Sequence, residues 1–515
     1  MPSKVYSAAA VGLHSELVEV ECDAGTGQFF FILVGLPDTA VQESRERVRT
    51  AIKNSGFAFP RGRVTVNLAP ADLRKEGPAH DLAIAVSILY ADPQNLGGRY
   101  ESARDELGSS LVLGELSLEG SVRPINGVLA LVYAARAHGF LSVYVPTANA
   151  QEARLIEGLT VYPVQNLSQL INHFTHKARI EPFTGSPTEC SKNFQDQSFD
   201  FQYIWGHTAA KRALEIAAAG GHNILMSGPP GSGKTLLART LPTILPEMTL
   251  EESLEVTRIY SVGGYVNPEE PLIRIRPFRS PHHTASHTAL VGGGSVPRPG
   301  EISLAHHGVL FLDEFPEFSR MVLEALRQPL EEGDITISRS AGTVTFPAQF
   351  MLIAAQNPCP CGNYGSHVSV CICSPAIALK YGKRISGPIK DRIDIIIDVP
   401  SVPIEALEQP ARGESSQDIS YRVQKARDRQ QSRYEKMSFR INGQLPSKRI
   451  EELCRINPSA RALLISGIQK FGLSTRSFYR TLRVAQTIAD LADSECVTDT
   501  HVAEALQYRQ RVGTI

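Results

Sequence analysis

Gly228-Pro229-Pro230-Gly231-Ser232-Gly233-Lys234-Thr235 fits G-x-x-x-x-G-K-[ST], and its neighbours supply the context the pattern needs. Ahead of it the apolar run Asn223-Ile224-Leu225-Met226 predicts a short strand, and behind it Leu236-Leu237-Ala238-Arg239 opens a helix. A glycine-rich turn between strand and helix wraps amide N–H groups around phosphates, and the helix dipole adds to the attraction. Lys234 reaches the β- and γ-phosphates, and Thr235 places its hydroxyl on Mg²⁺. The stretch predicts binding of ATP or GTP within an α/β fold.

Further on, Gly308-Val309-Leu310-Phe311-Leu312-Asp313-Glu314 reads as a buried parallel strand ending in two carboxylates. Asp313 is expected to hold Mg²⁺, and Glu314 to orient and polarise the attacking water, which predicts hydrolysis. A third run, Phe350-Met351-Leu352-Ile353-Ala354-Ala355, ends at Gln356-Asn357, where an amide can hydrogen-bond the water or the γ-phosphate.

This order resembles the AAA+ ATPases. The resemblance implies that Asn357 is sensor 1 and that Arg392, in Ser386-Gly387-Pro388-Ile389-Lys390-Asp391-Arg392, is an arginine finger reaching a neighbouring subunit's ATP, with Arg384 its nearest competitor. It further implies that Arg476, in Leu473-Ser474-Thr475-Arg476-Ser477, is sensor 2, with Arg483 a weaker alternative, and that Tyr203-Ile204-Trp205-Gly206 favours ATP over GTP. A finger acting on a neighbour needs a closed ring, for which a homo-hexamer is the usual AAA+ solution.

At 515 residues the chain is expected to form about three domains, and its formal net charge of −1 offers no global attraction to nucleic acid. No segment approaches a membrane span, so a cytoplasmic protein without membrane contact is expected. Residues 1–175 alternate β-rich and helical patterns, 176–199 are a polar linker, 200–400 carry the nucleotide motifs, and 401–515 read as a helical lid.

Two segments interrupt the 200–400 region. Residues 262–300 include Arg279, the pair His282-His283, and a Gly/Pro-rich stretch with Arg298; they read as a loop whose cations contact phosphates. A metal is not expected at His282-His283, because adjacent histidines rarely aim at one ion. Residues 334–347 read as a hairpin with Arg339 at its tip. The helix-2-insert clade of AAA+ proteins, including the MCM helicases and magnesium chelatases, carries insertions at these positions, and in the helicases both grip DNA.

Of eight cysteines, Cys359, Cys361, Cys371 and Cys373 form two C-x-C pairs. Four thiolates so spaced suit a structural tetrahedral Zn²⁺, and a redox cluster is the alternative. The segments 74–82 and 114–127 resemble the Lon protease domain (the S5 domain 2-like fold), but its serine and lysine positions hold Ala79 and Leu129, so the domain is expected to be proteolytically inactive.

The whole arrangement resembles the bacterial ComM/YifB family, labelled magnesium chelatase-like. The resemblance implies a hexameric ATP-dependent helicase that drives branch migration on single-stranded and branched DNA during natural transformation. A metal-insertion motor and an ATP-dependent protease are the alternatives.

Overall fold

The computed structural model describes residues 3–36, 38–72, 75, 77–92, 100–185, 199–294, 297–339, 342–364, 370–401 and 413–509. Most of the expected linker lies outside these residues, as do Arg74, Glu76, Ser295, Val296, the hairpin tip Ser340-Ala341 and residues 365–369 of the cysteine segment.

The N-terminal domain is built on a seven-stranded sheet. Its order runs Phe30–Val34, Arg63–Ala69, His14–Ala24, Ser3–Val11, Ser110–Val112, Ser142–Pro146 and Thr160–Val164. The helix Thr39–Asn54 is capped by Asp38, whose carboxylate accepts from Val41 N, and Asp81–Ala91 is buried on every face.

The nucleotide motifs lie on a five-stranded sheet, ordered Phe278–Arg279, Val309–Leu312, Met351–Gln356, Ile224–Ser227 and Ile395–Asp398, with every pair parallel. Alternation along these strands fills two separate cores. Ile224, Met226, Phe311 and Ile353 face the C-terminal helices, where Leu482 and Ile488 close the layer. Leu225, Leu310, Leu312 and Leu352 face the other way, against Ile337, Val344 and Phe346 of the hairpin.

Phe278-Arg279, read from the sequence as loop within the 262–300 insertion, is instead the outer strand of this sheet, with Phe278 opposite Val309. Three residues between Pro277 and Pro281 are too few to show a period. The helix Leu250–Gly263, which leads into that segment, starts at a capping box between Thr249 and Glu252 and ends at Gly264. Residues 334–347 form the expected hairpin, in register from Asp334↔Pro347 to Arg339↔Gly342. Among the described residues no helix is long and apolar enough to cross a membrane.

Candidate active site

Strand Ile224–Ser227 delivers the phosphate loop at the carboxyl edge of the core sheet, and Gly233, at φ 83°, turns the chain into the helix Lys234–Thr240. Lys234 Nζ donates to Gly228 O (2.7 Å), Pro229 O (2.8 Å) and Asn357 Oδ1 (3.3 Å). Burial lowers the pKa of this amine, against the opposing pull of Asp313. Ser232 is buried, and its Oγ has no partner among the described residues, so the loop holds a polar group that a phosphate oxygen would satisfy.

Asp313 and Asn357 follow the strands Val309–Leu312 and Met351–Gln356, which pair in register from Val309↔Met351 to Leu312↔Ala354. Thr235 Oγ1 donates to Asp313 Oδ2 at 2.8 Å. This hydroxyl and carboxylate form the hard-oxygen set that Mg²⁺ takes alongside phosphate oxygens. Lys234, Thr235, Asp313, Glu314 and Asn357, spread over 124 positions of the sequence (234 to 357 inclusive), thus meet at one sheet edge.

Glu314 sits at φ 51°, ψ 43°, a left-handed conformation costly for a residue with a side chain. Its Oε2 lies 2.9 Å from Nδ1 of His283. The imidazole lies tilted against His282, with ring centroids 4.1 Å apart, and edge-on to Phe318. Sequence reasoning missed this partnership. It read the histidine pair as phosphate contacts, and no local spacing links positions 283 and 314.

Arg392 and Arg476 are not part of this cluster. Arg392 is 4% exposed; Nη1 donates to Pro388 O at 2.6 Å, and Nη2 pairs with Glu331 Oε1. Arg476 Nη1 lies 3.8 Å from the same oxygen. The Glu331 carboxyl is accordingly held below its usual range, first by its hydrogen bond to Arg392. Arg392 precedes the strand Ile395–Asp398, and its carbonyl accepts from Asn223, which precedes Ile224–Ser227. Both arginines therefore flank the amino edge of the parallel sheet, whereas Lys234 is at the carboxyl edge. A cavity of about 710 Å³ opens at that amino edge, lined by Asn223, Met351, Glu331, Arg476, Arg480 and Arg483. The outward projection expected of Arg392 is not its position in this chain. Arg384, the competitor, is half-exposed and 2.6 Å from Glu317.

The four clustered cysteines converge. Sγ of Cys359 lies 3.3 Å from Cys361 and 3.7 Å from Cys371, and Cys361 lies 3.6 Å from Cys371. Thiolates at about 2.3 Å around one zinc stand about 3.8 Å apart, so the donor set fits that ion. Cys373 completes the group. The loop carrying them rests on the phosphate loop: a Cβ on Gly362 would lie 2.4 Å from Pro230 Cδ.

A second group, Glu255, His306 and His307, also brings three ligand atoms together, but its hydrogen bonding argues against a metal. His306 Nδ1 accepts from Gln349 N at 3.0 Å, so in the neutral ring Nε2 carries the proton toward Glu255 and has no lone pair to give.

The expected DNA contacts fare unequally. Arg279 is bound bidentately to Glu301 (2.6 and 2.7 Å), which leaves the phosphate contact expected of it without a free guanidinium. Arg298 is exposed, and Arg339 occupies the last position of its strand beside the hairpin tip.

Family models of magnesium chelatase match three segments: subunit ChlI over residues 18–149 and 200–407, and the ChlI C-terminal region over 413–509. Competence protein ComM of Haemophilus influenzae is 43% identical over 99% of this chain and 97% of its own length. YifB of Escherichia coli is 41% identical over 98% of this chain and 97% of its own. The magnesium-chelatase 67 kDa subunit of Chlorobaculum parvum is 30% identical over 31% of this chain and 23% of its own. The chain therefore belongs to the ComM/YifB family of magnesium chelatase-like AAA+ proteins, a membership that implies ATPase activity.

Proposed function

We propose that the chain is an ATP-driven DNA motor, assembled as a hexameric ring, that moves a branch point while single-stranded DNA is integrated into a duplex. The observation that carries this reading is the placement of Lys234, Glu314 and Asn357 at one edge of the core sheet and of Arg392 and Arg476 at the other. Phosphoryl transfer gains from a guanidinium on the γ-phosphate. Arg476, exposed beyond the sheet, can reach a neighbour as it stands, and Arg392 can do so once it leaves Glu331 and the Pro388 carbonyl; the chain receives the neighbour's arginines in turn. In a closed ring every site is then complete.

In each site Thr235 and Asp313 would hold Mg²⁺, which would neutralise charge on the phosphates. Lys234 turns from the loop carbonyls to the β- and γ-phosphates. Glu314 takes a proton from the attacking water, Asn357 orients that water, and Arg392 and Arg476 of the adjacent subunit offset the charge that develops. Arg298 and the hairpin with Arg339 are the DNA contacts in this reading, and the cysteine group binds one structural zinc. The N-terminal domain is a Lon-like fold without a nucleophile at Ala79, and the C-terminal helices act as the lid.

The DNA substrate is supported by the relatedness to ComM, named as a competence protein. A metal-insertion motor is the second reading, favoured by the magnesium chelatase models that match. ATP-dependent branch migration on a three-stranded substrate separates the two: the motor proposed here performs it with no further protein, and a metal-insertion ATPase does not.

A further inference from the structure

The N-terminal domain packs against two elements outside the core sheet, and each contact is specific. The turn between Ser3–Val11 and His14–Ala24 meets the hairpin Asp334–Pro347. Gly12 (φ 64°) approaches so closely that a Cβ there would lie 2.2 Å from Val344 Cγ1. Beside it Leu13, 4% exposed, belongs to the same apolar cluster as Ile337, Val344 and Leu352.

The second contact is with the end of the helix Leu250–Gly263. Gly127 N donates to Ser261 O at 3.0 Å, and Ser261 Oγ donates to Glu152 Oε1 at 2.5 Å. Glu152 is 5% exposed and also accepts from Leu129 N (3.0 Å) and Asn149 Nδ2 (3.3 Å). Burial raises its pKa, and these donors oppose the rise. Leu272 belongs to the apolar cluster of Val128 and Leu129, and Leu254 and Ala79 pack against it. Ala79 and Leu129 stand where the resemblance to Lon places a serine and a lysine. The cluster that receives the helix end thus includes Leu129 and packs against Ala79.

We infer that the N-terminal domain is a fixed seat for the hairpin and for the helix end that leads into residues 262–300: through Gly12–Val344 and Glu152–Ser261 it holds both in one register. A buried carboxylate with three donors, one of them across the interface, costs too much to open for a loosely tethered module. The inference rests on the motor reading for its consequence, which is that DNA engaged by the insertions reaches the ATPase site only while both are seated.

The test uses full-length Gly12→Asn, since Asn tolerates a left-handed backbone and its Cβ meets Val344. Amide hydrogen exchange is followed over 334–347 and 250–263, alongside ATPase rates with and without DNA. Exchange should rise about tenfold in both segments, and DNA stimulation should fall, with DNA-free turnover within about twofold of wild type. Adding Val344→Ala, which removes the colliding Cγ1, should restore protection. Wild-type exchange in Gly12→Asn, or a loosening confined to the hairpin that Val344→Ala does not reverse, overturns the seat. Ser261→Ala serves as a second variant should Gly12→Asn not fold, with loosening at 250–263 expected and unchanged exchange decisive against the inference. If the wild-type ATPase shows no response to DNA, the motor reading falls, and the exchange data still decide the seat.

Discussion

His283 Nδ1 lies 2.9 Å from Glu314 Oε2, so the carboxylate proposed to take a proton from water is shared with an imidazole from the loop after Phe278–Arg279. A carboxylate engaged in this way directs a lone pair at the ring and away from a water it must meet. His283→Ala is expected to raise DNA-free ATP turnover by about threefold to tenfold with nucleotide affinity unchanged. Steady-state turnover combined with nucleotide titration checks this, and a fall in turnover would make His283 a group that hydrolysis requires.

Arg392 and Arg476 share Glu331, and neither reaches the phosphate loop of its own chain. Arg392→Ala should bind ATP normally and lose turnover by about 10³-fold, the range for a guanidinium supplied by a neighbour. Mixed with wild type it should depress activity more than in proportion to its share. A strictly linear mixing curve would place the arginine's action within its own chain.

Two buried histidines predict acid sensitivity. Burial, with Lys75 nearby, lowers the His80 pKa to about 4, and burial likewise lowers His306 to about 4. Their unfolded values are near 6.5, so below that pH the unfolded chain binds more protons than the folded one. Stability is full above pH 6.5 and falls as pH drops toward 4, by up to about 3 kcal/mol for each histidine. Thermal melts between pH 7 and 4 should show this decline. His80→Gln should flatten part of it, and an identical slope in that variant would contradict the assignment.

The cysteine group predicts one zinc per chain by elemental analysis. Cys371→Ser should lose that zinc and unfold at lower temperature than wild type. Metal-free protein with four reactive thiols would refute the site.

The meeting of Asp313, Glu314 and Asn357 was legible because strand periodicity puts them at strand ends, and strand ends of a parallel sheet share one edge. What stayed hidden depends on folding partners remote in sequence. Phe278-Arg279 is a strand only because Val309 and Leu310 pair with it. Arg279 looked available until Glu301 was found beside it, and Arg392 looked outward until Glu331 and Pro388 turned it in. The docking of the N-terminal domain on Ser261 and Val344 has no local signature at all.

The most direct test is branch migration on a three-stranded DNA substrate with ATP, comparing wild type, Lys234→Ala and Glu314→Gln. Wild type should move the branch. Lys234→Ala should neither bind nucleotide nor move it, and Glu314→Gln should bind ATP and DNA yet hydrolyse at least about 100-fold more slowly and leave the branch in place. Wild-type protein that hydrolyses ATP but leaves the three-stranded substrate unchanged at low salt, where DNA contacts are strongest, would contradict the account.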